Sequence, residues 1–81
     1  MLSINKLEQF VIRAYVDECN FNGEEPVDLD LNDVHDLIVT KYSVNGVKIE
    51  NDDVLYNYLQ KILNNFNLNY INNKVQELFY Y

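Results

Sequence analysis

The spacing of hydrophobic and polar positions changes along this chain, and each change marks an element. From Asn5 onward apolar residues fall at Leu7, Phe10, Val11, Ala14 and Tyr15, with Ile12, Val16 and Cys19 as a second stripe beside them. Recurrence at i, i+3 and i+4 is one face of an α-helix, so a first helix is expected from Ser3 or Asn5 to about Cys19. Asn5-x-x-Glu8 has the form of a capping box. So wide an apolar face implies neighbours on two sides, as in a central helix or one that pairs with another subunit.

Asn20 to Pro26 (Asn-Phe-Asn-Gly-Glu-Glu-Pro) is a loop by its turn chemistry. Val27-Asp-Leu29-Asp-Leu31 then alternates, which is the pattern of a short strand with its carboxylates in water. A second helix is expected with Asn32 as N-cap and Asp33 and Asp36 near its positive end. Its buried face would be Val34, Leu37, Ile38 and Tyr42. Asn45-Gly46 between valines is the signal of a two-residue hairpin turn, so residues 43–50 form either a small ribbon or an extended turn.

After Asn51-Asp52-Asp53 the helical period returns at Leu55, Tyr58, Leu59, Ile62, Leu63 and Phe66. It gives way to Phe66-Asn-Leu68-Asn-Tyr70, then Asn72-Asn73, then a run from Val75 to Phe79. Val, Phe and Tyr favour strands, so the end of the chain is expected as a C-terminal β-hairpin. The fold class is therefore α+β: a small winged-helix-like domain of three helices plus that hairpin, with residues 1–81 as a single domain. The alternative, with a helix from Asn73 to Phe79, is an all-α four-helix bundle. The segment Ser43–Glu50 is longer than the three or four residues that join a helix-turn-helix.

Charge complicates the winged-helix expectation. The net charge is −7, and residues 17–53 hold eleven acids against Lys41 and Lys48. Between Asp17 and Asp36 there are eight carboxylates and neither Lys nor Arg. Such a stretch repels phosphate backbones and attracts basic partners, and it also keeps a small protein in solution. One cysteine excludes an internal disulfide and points to a reducing, cytoplasmic setting. Arg13 interrupts Phe10-Val11-Ile12 before a signal-peptide core can form, and no apolar run approaches membrane-spanning length. Asparagine crowds the last third of the chain, an excess that an AT-rich genome would explain.

Catalytic chemistry is scarce. His35 and Cys19 are the only candidates for a nucleophile–base pair, and a lone helical cysteine is more often an apolar filler. Asp28-x-Asp30-x-Asn32 imitates half of a calcium loop, but Asp33 stands where its glycine belongs and Val39 where its closing glutamate belongs. Gly23 and Gly46 are the only glycines, too few for a phosphate cradle. No enzyme activity, cofactor or metal is expected.

Two kinds of binding remain. In the first, Glu24, Glu25, Asp28, Asp30, Asp33 and Asp36 steer a protein partner with a basic surface, and Phe21, Tyr80 or Tyr81 anchor it. Small size and acidity are similar to those of DNA-mimicking inhibitors carried by mobile genetic elements, which occupy basic nucleic-acid channels. In the second, a winged helix-turn-helix regulator reads DNA with Tyr56, Asn57, Gln60, Lys61 and Asn64 on its third helix and Lys74 on a wing. Amides can bond adenine edges, but two lysines neutralise few phosphates, and Asp52 and Asp53 oppose the approach. The chain is expected to be a monomer or a homodimer acting in the cytoplasm through protein contacts.

Overall fold

The computed structural model describes residues 2–81, which form four helices and one small hairpin: α1 (Ile4–Asn22), α2 (Leu31–Lys41), β1 (Ser43–Val44), β2 (Val47–Lys48), α3 (Asp53–Ile62) and α4 (Leu68–Phe79). Short 3-10 turns at Ile49–Asn51 and Leu63–Asn65 lead into and out of α3. The architecture is α+β and mostly helical. The strands pair antiparallel, Ser43 opposite Lys48 and Val44 opposite Val47. Asn45 (φ 52°) and Gly46 (φ 81°) both take the left-handed conformation that a two-residue hairpin requires.

The caps are where local chemistry departs from expectation. Ser3, not Asn5, caps α1 by accepting from the Lys6 N–H at 3.2 Å. Glu8 makes no box there. It turns inward, is 6 % exposed, and accepts from the Asn67 N–H at 2.8 Å, just ahead of α4. Gly23 closes α1 with a left-handed φ of 67°. Helix α2 begins two residues earlier than an Asn32 cap allows, because Asp30 and Asp33 form a reciprocal capping box. Asp52 caps α3 by accepting from the N–H groups of Val54 and Leu55.

The C-terminal β-hairpin is replaced by a helix. Asn67 caps α4, accepting from the Tyr70 N–H at 3.0 Å, and Ile71 and Val75 bury one helical turn apart. Asn72-Asn73 is thus mid-helix rather than a turn. Strand propensity lost because Ile71 and Val75 gain a fully covered face against α1, and packing outweighs intrinsic preferences of under about 1 kcal/mol per residue. The fourth helix of the all-α alternative is present, and it spans more of the chain than Asn73–Phe79.

Val27–Leu31 is not a strand either. Residues 24–30 have no regular secondary structure and pair with no β-strand, and Leu31 opens α2. The core is one cluster drawn from every helix: Leu7, Val11, Ile12 and Val16 of α1, Val34, Leu37 and Ile38 of α2, Leu59 of α3, and Ile71 and Val75 of α4, with Ile49 and Phe66 from the connections. Helix α1 packs on both α4 and α2, so it is the central helix that its wide stripe implied. No helix among the described residues is long and apolar enough to cross a membrane.

Candidate functional site

The acidic loop after α1 runs back alongside α1 and α4 as a strap, held by side chains from both. Pro26 and Leu29 are buried anchors. Between them the Tyr15 hydroxyl accepts from the Val27 N–H at 2.9 Å and donates to the Val27 carbonyl at 3.2 Å. The Asn72 amide does the same for Leu29, accepting from its N–H at 2.8 Å and donating to its carbonyl at 3.2 Å. Gln76 reaches the Pro26 carbonyl at 3.4 Å. An extended backbone normally meets its hydrogen-bonding needs on a neighbouring strand. Here an amide and a phenol take the neighbour's place.

With the backbone facing inward, the carboxylates face out. Glu24, Glu25 and Asp28 are exposed, and among the described residues no basic side chain pairs with them. Asp30 and Asp33 are exposed too, but each uses one oxygen in the box that starts α2, at 2.9 and 3.1 Å. Asp36 sits one turn on, its Oδ1 3.5 Å from His35 Nδ1. The six carboxylates thus run along one strap and the first turns of the helix it enters. No group of three or more His, Cys, Asp or Glu among the described residues is arranged to hold a metal ion.

One aromatic side chain, Tyr80, borders this surface. Tyr80 is 58 % exposed beside Glu25; desolvation first, and the Glu25 charge second, push its phenol above the ordinary value. Tyr81 and Phe21 are exposed as well, but they lie away from the strap, Phe21 against Phe10 and Arg13 and Tyr81 against Gln9 and Lys74. The Tyr15 phenol is also raised, chiefly by burial, with the Val27 backbone hydrogen bond opposing that shift.

The second candidate set divides. Asn57, Gln60, Lys61 and Asn64 lie exposed along α3 and the turn after it. Tyr56 is half-buried, its ring edge-on to His35 with centroids 5.4 Å apart. His35 is largely buried: its side chain is 19 % exposed and faces α3, where its Nε2 lies 2.6 Å from Gln60 Nε2. Leu31, Asn32, His35, Gln60, Leu63 and Asn64 line one shallow hollow, so the α3 amides sit directly against the acidic helix. Lys74 is not a wing residue. It belongs to α4, pairs with Glu77 at 3.3 Å, and lies 5.9 Å from the Tyr70 ring centroid.

Cys19 is buried in α1 with 4 % exposure, packed as an apolar filler. Sequence patterns pointed to the carboxylates but missed Tyr15, Asn72 and Gln76, which hold the strap. The available signal was polar residues on the helical stripe of Ile71 and Val75, which an alternating pattern obscured. Comparison with protein-family models, with curated proteins and with solved structures finds no match to this chain.

Proposed function

We propose that this chain is a non-enzymatic binding module that engages a protein with a basic surface through the strap and the start of α2. Glu24, Glu25 and Asp28 supply most of the free charge, and Asp30, Asp33 and Asp36 extend it. The observation that carries this reading is the combination of a fastened backbone with unpaired carboxylates. Charges on a strap already held in place lose little further freedom on binding, and ordering cost is a main opponent of affinity. Acidic side chains over a common edge steer a cationic surface and raise its rate of encounter.

In its specific form the module is an inhibitor or regulator from a mobile genetic element that stands in for nucleic-acid charge, acting in the cytoplasm, where the Cys19 thiol stays reduced. Tyr80, next to Glu25, serves as an aromatic anchor at its border.

A winged helix-turn-helix DNA reader is the alternative. It draws on Asn57, Gln60, Lys61 and Asn64, which share an exposed face. Its wing would have to be the Ser43–Lys48 hairpin, which precedes α3 instead of following it. Its phosphate contacts are reduced, since Lys74 already pairs with Glu77, and Asp36 lies one residue from His35, the partner of Gln60.

Fluorescence anisotropy with two labelled probes separates the two. An arginine-rich peptide and a mixed-sequence DNA duplex are titrated side by side in low salt, then across a salt series. Peptide binding that weakens with salt, with no duplex binding, is the expected result. Duplex binding with a steep salt dependence would replace the acidic-surface reading with the DNA one.

A further inference from the structure

Helix α1 covers two of its sides with α2 and α4, but a third side stays open. Phe10, Arg13, Ala14, Asp17, Glu18 and Phe21 line a groove there, closed at one edge by Lys41 of α2. Phe21 is 90 % exposed, and Phe10 is half-buried, its ring edge-on to Tyr42 at 4.9 Å between centroids. The charges of this groove cancel, unlike those of the acidic middle of the chain. Arg13 and Lys41 balance Asp17 and Glu18, whereas the whole carries −7. Lys41 already pairs with Glu18 at 3.2 Å. Arg13 and Asp17, one turn apart and both exposed, take part in no ion pair among the described residues.

We propose that this face binds a second copy of the chain, α1 against α1, antiparallel about a two-fold axis that passes beside Ala14, level with residue 15 along the helix. A two-fold interface must be complementary to itself, and the order of residues along α1 meets that condition. With the axis level with residue 15, positions 13 and 17 face each other, and position 10 comes within one residue of 21. Each Arg13 therefore meets the Asp17 of the other copy, twice over. Each Phe10 meets the other Phe21, and this covers the most exposed aromatic side chain within the helices. In an antiparallel pair the residues on one flank of a helix meet the same flank of its partner, and Arg13 and Asp17 share a flank. Ala14 lies beside the axis, where a small side chain lets the helices approach to the usual 8–10 Å or so. Because the groove is neutral, two strongly acidic copies can meet there without setting net negative charge against net negative charge.

Sedimentation equilibrium of the full chain from about 10 µM to about 1 mM tests this, with dimers of this small interface class expected inside that range. The expected mass rises from 9.6 kDa toward twice that value. Arg13→Asp and Asp17→Arg each put like charges opposite each other and weaken association about tenfold or more. The double variant R13D/D17R restores it, and Phe21→Glu keeps the chain monomeric. Circular dichroism of each variant, all altered at exposed positions, checks that the helices are intact. A wild-type chain that stays monomeric across the range overturns the proposal. A dimer indifferent to the single charge swaps, or one that the double swap does not restore, overturns it equally.

Discussion

The strap over residues 24–30 and the outer face of α3 are both polar and exposed, yet they are held in opposite ways. The strap has little internal structure, and its shape comes from Tyr15, Asn72 and Gln76 on two other helices. The α3 face is rigid through its own helix, and its side chains are free except Gln60, held by His35. The strap therefore spends its fixed contacts on the backbone and leaves its charges available. On α3 a reading amide is already engaged, and a helix with acidic side chains stands beside it. A surface suits a partner by what remains unpaired after folding, and by that measure the strap is the better provided.

Substitutions that undermine the strap's support should cost more than any on the α3 face. Largest is Ile71→Ala, which empties a fully buried position beneath the α1–α4 contact and should cost about 2–4 kcal/mol, read as a lower denaturation midpoint. Asn72→Leu leaves the part-buried Leu29 N–H and carbonyl without partners. It should cost about 1–3 kcal/mol, with faster hydrogen exchange at Leu29 than elsewhere. Asp30→Ala removes the α2 cap for about 1 kcal/mol, which is why charge reversal of the surface should spare Asp30. Asn57→Ala and Lys61→Ala should stay within about 0.5 kcal/mol of wild type. Equal losses on the two surfaces would erase the distinction between them.

Alkaline pH probes the Tyr15 clip. Its phenol is raised in the folded chain, so the folded state holds that proton more tightly than the unfolded state does. The stability this lends is complete below the unfolded value of about 10 and is lost as pH rises through the folded one. Tyr15→Phe should flatten that part of the alkaline unfolding curve while lowering stability near neutrality by about 1 kcal/mol.

How much of this was legible in the sequence differs by element. The period of α1, α2 and α3 and the Asn45-Gly46 turn are local signals, and each element is present. The helix bounds differ, since α1 runs to Asn22 into the expected Asn20–Pro26 loop, α2 starts two residues early, and α3 yields to a 3-10 turn at Leu63. The end of the chain misled because Phe66, Leu68 and Tyr70 alternate across a helix boundary: Phe66 is a buried connection, and Leu68 already belongs to α4. Ile71 and Val75 carried the helical period, but the asparagines between them imitated turn chemistry. Asp30 was the cap because Asp33 lies three residues on, a box hidden within an alternating run. The strap's fastening could not be read from the sequence. Leu29 and Asn72 are far apart along the chain, and only folding brings them together.

The most direct test of the central claim is the affinity of the arginine-rich peptide for the triple variant E24K/E25K/D28K against wild type. All three residues are exposed and unpaired, so the helical circular dichroism and melting profile should be retained. Peptide binding should fall by about tenfold or more, with a shallower salt dependence. Unchanged affinity in a folded variant would contradict the account, because the charge responsible would then lie outside the strap.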